Sequence, residues 1–125
     1  MQKIKNIQQA YDADGLDANA VSVTGIPERH IEAVKAFAHL CMVNDFVNNE
    51  FNPDFSDFTQ RKYNPVVQLG SSSGPVFSYY GYGCWAAHSD VGARLVSESI
   101  EASKHIFEAF PELYEKMMVY QRKIK

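Results

Sequence analysis

Cys84, His88 and Asp90 fall together in one short stretch, GYGCWAAHSD, at positions 81–90. A thiol, an imidazole and a carboxylate this close raise two chemistries. A cysteine activated by a histidine base is a nucleophile for acyl transfer, provided hydrogen-bond donors await the oxyanion. The same three side chains, with His105 as a fourth, are candidate ligands for a metal ion. Both depend on local structure. Cys84 and His88 are i and i+4, which makes them neighbours on a helix and strangers on a strand.

The elements around them favour neither chemistry. Cys84-Trp85-Ala86 is similar to the nucleophile segment of papain-type proteases, but the flanking glycines differ and no glutamine stands a few residues upstream. So short a chain also holds no distant His/Asn pair. Cys41 is the only other cysteine, and neither belongs to a Cys-x-x-Cys pair or a zinc spacing. The sequence therefore predicts no catalytic residue, no metal and no cofactor. It predicts a structural role for this stretch in a protein that is not an enzyme.

The totals narrow the class further. A chain of 125 residues suffices for one core, so a single domain is expected over 1–125. Apolar residues make up 46% of it and aromatics 13%, too rich for a disordered chain. Twelve basic residues against 15 acidic ones give a net charge of −3, which argues against neutralising a phosphate backbone. The basic clusters are Arg61-Lys62 and Arg122-Lys123-Lys125. No run reaches the roughly 20 apolar residues that cross a bilayer, and the N-terminus lacks a signal-peptide core. A cytoplasmic protein is expected, with no membrane and no nucleic-acid partner.

Ile4, Ile7 and Tyr11 are spaced for a short first helix, which should end in the Asp/Gly-rich turn 12–19. From Pro27 to about Asn49 the apolar residues Ile31, Val34, Phe37, Ala38, Leu40, Cys41, Phe46 and Val47 predict a long core helix. Within it, Cys41 reads as a small buried hydrophobe and His39 as a packed, hydrogen-bonded histidine. Pro53 breaks this helix, and Phe51, Phe55, Phe58 and Tyr63 should fold the following loop back onto the core. VVQL (66–69) and PVFSYYGY (75–82) read as strands, with GSSSG as a hairpin turn; a phosphate loop would need a following lysine. A third strand is expected around Ala93–Val96. Ile100, Ser103, Phe107, Phe110, Tyr114 and Met117 return to helical spacing, and Pro111 either kinks that helix or starts a second one.

Several of these segments resemble a family. RKYNPVV (61–67), FSYYGYGCW (77–85), VGARL (91–95), then EAF and LY in a last helix, follow one order. They resemble small uncharacterised proteins encoded by phages, prophages and mobile elements of gut Bacteroidales, with their KYYPWF, FSYYGYD and VGSRL segments. GIPERHIEAVKAF (25–37) and NNEFNPDFSDFTQ (48–60) extend the likeness over nearly the whole chain. Val66-Val67 replaces the family's aromatic pair, and Phe51 and Phe55 replace its tryptophans. The resemblance implies a mobile-element origin in a bacterial cytoplasm. It brings no activity, cofactor or catalytic residue.

The expectation is thus an α+β domain: a long N-terminal core helix, a small three-stranded antiparallel sheet, and a C-terminal helix or helix pair packed on the sheet. Strand alternation should send Phe77 and Tyr79 to one face and Tyr80 and Tyr82 to the other. Tyr80, Tyr82, Trp85 and Arg94 are the candidate binding residues of a non-enzymatic accessory protein that acts through a protein partner or self-association. The alternative is a small-ligand or nucleotide-binding protein, with the aromatics stacking a base and Arg94 or Arg61 holding an acidic group.

Overall fold

The computed structural model describes residues 1–69, 77–86, 93–120 and 122. Its architecture is α+β. In chain order come α1 (Ile7–Asp12), a 3-10 turn (Ala18–Ala20), α2 (Glu28–Val47), β1 (Lys62–Gln68), β2 (Ser78–Trp85), a second 3-10 turn (Ala93–Leu95), α3 (Ile100–Ala109) and α4 (Pro111–Met118). No helix among the described residues is long and apolar enough to cross a membrane.

The first helix begins later than its apolar spacing suggests, because capping sets its start. Asn6 Oδ1 accepts from the Gln9 N–H at 3.1 Å, and Gln9 Oε1 accepts from the Asn6 N–H at 3.2 Å. This reciprocal pair satisfies backbone donors that the first turn leaves open. Gly15, at φ 68°, supplies the left-handed residue of the turn that follows.

The long helix, α2, is second in the chain rather than N-terminal. Its apolar residues lie nearly all around it, so the pattern alone cannot say which stripe is inside. The buried stripe is Ala36, Leu40, Val43, Asn44 and Val47, while Val34 and Phe37 face solvent in part. α2 packs on α4 and α1, and the 3-10 turn Ala93–Leu95 rests against it. His39 is hydrogen-bonded, as expected: its Nδ1 lies 2.7 Å from the Tyr11 hydroxyl. Cys41 is half-buried against the core, and burial pushes its thiol up.

Pro111 starts a second helix instead of kinking the first. Without an N–H it fits the first turn of α4, and Phe110 forms the corner. Ser99 caps α3, its side chain accepting from the Ala102 N–H at 3.0 Å. Of the expected seam, Ser103, Phe107, Phe110 and Tyr114 are buried, but Ile100 is exposed.

Among the described residues the sheet has two strands, not three. β1 and β2 pair antiparallel from Lys62↔Trp85 to Gln68↔Ser78. The segment expected as a third strand turns into a 3-10 helix. It retains one bridge, with Tyr63 N–H to Ser97 O at 2.9 Å and Ser97 N–H to Tyr63 O at 2.6 Å. The physical reason is its apolar pair. Leu95 and Val96 are both buried against the helices, whereas strand alternation would turn one of them outward. Asn48 holds this crossing in place. Its side chain donates to Ser97 Oγ at 3.1 Å and accepts from the Glu98 N–H at 2.9 Å. The GSSSG turn lies outside the described residues.

The N-terminal segment is tied down by His105 of α3, whose Nε2 accepts from the Ile4 N–H at 3.0 Å. Burial holds this imidazole below its ordinary range, with Lys3 adding to the shift. A neutral ring can accept this bond and an imidazolium cannot. The folded value lies below the unfolded one, so this stability is present above the unfolded value. It is lost as pH falls through that value toward the folded one. The melting midpoint should therefore drop between about pH 7 and about pH 5. His105→Gln keeps an acceptor but no titration, and should show a shallower drop; an identical pH profile in thermal melts would rule this out. His39, lowered chiefly by burial and then by Lys116 and Lys35, adds to the drop in the same direction.

Candidate functional site

The sheet ladder decides where the expected binding residues go. A β-bulge interrupts the pairing: Val66 faces Gly81 and Val67 faces Tyr79, leaving Tyr80 as the extra residue. Cross-strand partners share a face, so Tyr82 belongs with its partner Pro65 and with Tyr63 and Val67. The Tyr63 and Tyr82 rings lie 6.0 Å apart, which fits that placement. Val67, Phe77 and Tyr79 pack on the core from this same face. Tyr80 sits at the bulge opposite Val66 and is 76% exposed. The expected grouping of Tyr80 with Tyr82 therefore fails, because simple alternation does not survive an inserted residue.

Trp85 is on the other face from Tyr82, paired with Lys62. Its indole N–H donates to Asn64 Oδ1. Gly83 makes that contact possible, since a Cβ there would lie 2.8 Å from Asn64 Oδ1 and 3.1 Å from Trp85 Nε1. The half-buried Cys84 receives a long contact from Arg61, with Nη1 at 3.5 Å from its sulfur. His88 and Asp90 lie outside the described residues. Among the described residues no three His, Cys, Asp or Glu side chains gather as a metal site.

The residue that organises this region was not singled out from the sequence. Lys62 is fully buried, at 0% exposure. Its ammonium donates to the carbonyls of Asp54 (2.5 Å), Gln60 (2.8 Å), Ala86 (2.6 Å) and Asp57 (3.3 Å), and it lies 5.0 Å from the centre of the Phe55 ring. Half of the Arg61-Lys62 basic cluster is thus internal and unavailable to a polyanion. The aromatics expected to pin loop 51–60 do less of that work than this lysine. Phe58 is 74% exposed.

The signal for the cage is a tandem tripeptide, Asp54-Phe55-Ser56 and Asp57-Phe58-Thr59. Asp54 Oδ1 accepts from the Ser56 N–H at 2.9 Å, and Asp57 Oδ1 accepts from the Thr59 N–H at 2.8 Å. These side-chain bonds curl the chain twice. The carbonyls of residues 54, 57 and 60 then recur at a spacing of three and converge on one cation. Hydrogen bonds from Ser56 and Thr59 hold the two carboxyls below their usual range.

Arg94 leads elsewhere. It lies in the 3-10 turn between Ala93 and the buried Leu95, on a groove of about 710 Å³ bounded by α2, the end of α4 and the residue after β1. Phe37, Leu69, Leu95, Met117 and Met118 supply its apolar lining. Phe37, Leu69 and Met118 are all exposed, as are Val119 and Tyr120 after α4. On its other side Arg94 borders a smaller polar pocket of about 170 Å³, together with Asp45, Asn48 and Asn49. Among the described residues Arg94 lines the groove without Tyr80, Tyr82 or Trp85. The four expected residues do not form one site. Phe37 enters the candidate site unforeseen, because a helical apolar residue reads as core until the neighbouring elements are placed; Met117, Met118 and Tyr120 read from the sequence as either core or a dimer contact, and Met118 is exposed on the groove.

No protein-family model matches the chain, and no curated protein or solved structure matches it.

Proposed function

We propose that the chain is a non-enzymatic binding protein that engages a protein partner through the apolar groove between α2, the Ala93–Leu95 turn and α4. The observation that carries this reading is the exposure of Phe37, Leu69 and Met118 along one cavity of about 710 Å³. Apolar side chains gathered on an open concave surface gain by being covered. Two methionines at one end suit such a role, since their unbranched side chains adapt to what they meet. The resemblance to mobile-element proteins supports an accessory role in a phage or integrated element.

The small-ligand alternative asks Tyr80, Tyr82 and Trp85 to act together on a base. The register sets Tyr82 on the opposite face of the hairpin from Trp85, and the bulge parts it from Tyr80, so the three do not converge on one base.

A photo-crosslinking phenylalanine at position 118, activated in cells, tests the proposal against the same group at exposed Glu101. Position 118 should give a discrete adduct that Phe37→Asp removes, and position 101 should give none. An adduct of twice the chain's mass would identify the partner as a second copy. Equal, diffuse labelling from both positions would retire the groove.

A further inference from the structure

Independently of the groove, we infer that β2 is an interface to a second copy of the chain. Its free edge pairs antiparallel with the same edge of the copy, about a two-fold axis at Gly83. The ladder shows which edge is free. Tyr63 spends its N–H and C=O on Ser97, on the side of β1 away from β2. Backbone direction alternates along a strand, so Lys62, Asn64 and Val66 bond to β2, while Tyr63 and Pro65 do not. Their partners Cys84 and Tyr82 therefore turn N–H and C=O outward from the hairpin. Among the described residues no backbone hydrogen bond reaches either of them from outside β1.

The edge is also unguarded. Strand edges that stay single are blunted by lysine, proline or an inward charge, and β2, SYYGYGCW, has none of these. Only the bulge at Tyr80 interrupts it, which leaves residues 81–85 as its regular part.

Such an edge accepts any strand, but the side chains single out a copy of itself. With the axis at Gly83, Tyr82 faces the partner's Cys84, and the two exchange both of their N–H···O bonds. The next pair, more closely spaced, sets Gly81 against the partner's Trp85. Gly81, Gly83 and Trp85 share a face of the hairpin. A Cβ on Gly81 would meet nothing within 4 Å, so the space above it is open. The indole is held ready nearby: its N–H donates to Asn64, and its ring lies over Gly83, 3.1 and 3.3 Å from where a Cβ would stand. Two-fold pairing lays each indole over the other strand's Gly81, the aromatic cover that an edge glycine otherwise lacks.

Sedimentation of the full chain tests this, together with residue-resolved amide exchange and the emission of Trp85, the only tryptophan. The chain should be dimeric at about 100 μM and dissociate toward about 1 μM, with the emission moving to longer wavelength as it does. The Tyr82 and Cys84 amides should be protected in the dimer and exchange freely on dilution, while Gly83, bonded to β1, stays protected at both concentrations. Gly81→Glu places its side chain in open space, so the monomer should keep its circular dichroism spectrum and melting point. It sets a carboxylate against the partner's Trp85, however, and should weaken the dimer at least about a hundredfold. Phe37→Asp, in the groove, should leave the dimer unchanged.

A wild-type chain that stays monomeric throughout would overturn the inference and leave the groove reading untouched. A dimer that survives Gly81→Glu would also overturn it, as would one that Phe37→Asp abolishes, which would place the contact at the groove. Should Gly81→Glu misfold, the wild-type amides decide: exchange at Tyr82 and Cys84 that does not depend on concentration would sink the edge pairing.

Discussion

Replacing Lys62 by methionine should destabilise the protein by about 2–4 kcal/mol. Methionine keeps most of the aliphatic stem, so the packing around it is largely retained and the change isolates the ammonium. The carbonyls of residues 54, 57, 60 and 86 would lose their common donor. The Asp54 and Asp57 carbonyls would keep the N–H groups of Asp57 and Gln60 as donors, so the loss falls on the Gln60 and Ala86 carbonyls, at roughly 1–3 kcal/mol each where buried. A loss of this size is a large part of the stability of an ordinary domain, roughly 5–15 kcal/mol in total. Arginine should not restore it, because a planar fork cannot direct its donors toward carbonyls that surround a single point. Urea unfolding measures the total, and amide exchange shows where it is lost, with protection falling first at 51–60 and near Ala86. A Lys62→Met protein within about 0.5 kcal/mol of wild type would show that the cage forms around the lysine without stabilising the fold.

The second large effect lies at Phe107, with an expected loss of about 3–5 kcal/mol on replacement by alanine. Phe107 joins sheet to helices. Its ring centre is 5.8 Å from that of Phe77, 5.6 Å from Tyr79 and 5.3 Å from Tyr114, so one side chain contacts β2, the residue before it, and α4. A two-stranded sheet is not stable by itself and must pack on something. Removing Phe107 takes away both buried area and three aromatic contacts from that junction. Phe58→Ala, made as a control on a residue of the same type, should change stability by less than about 0.5 kcal/mol. Comparable losses in the two variants, by denaturant melts with matched slopes, would contradict this account of the core.

Next to Phe107 the interior carries a buried polar group. Tyr114 is 1% exposed and its hydroxyl meets no partner in full hydrogen-bond geometry, as is also true of Asn44 Oδ1 and Ser103 Oγ. Burial pushes the phenol far up, and the neighbouring Asn44 amide eases that rise without meeting hydrogen-bond geometry. Such a group stays neutral at any ordinary pH, so the cost it imposes is that of a poorly compensated hydroxyl and not of a charge.

Much of the secondary structure was legible because its causes are local. Apolar spacing marked α2 and the last helices, Pro111 offered the break between α3 and α4, and β-rich composition marked residues 66–68 of β1 and 78–82 of β2, while 62–64 read as loop. The α+β class followed from that order of elements. The contents of the candidate site were far less legible. Tyr80, Tyr82, Trp85 and Arg94 each have chemistry suited to binding, but the bulge at Tyr80 leaves Tyr82 on the opposite face from Trp85, and Arg94 belongs to another surface. Neither event leaves a mark in the alternation of residue types.

Lys62 and Phe37 show where that boundary lies. By itself the sequence determined that Asp54-Phe55-Ser56 and Asp57-Phe58-Thr59 would curl, since each aspartate bonds a donor two residues ahead. Only the tertiary structure decided that the resulting carbonyls would close on a lysine, because the strand carrying Lys62 and the Ala86 carbonyl are fixed by pairing across the chain. Sequence likewise determined that α2 would be apolar on most of its circumference. Which side became core and which became an open groove was decided when α4 and the Ala93–Leu95 turn packed against it. Propensity acts over a few residues, whereas burial is a property of neighbours that the chain order does not name.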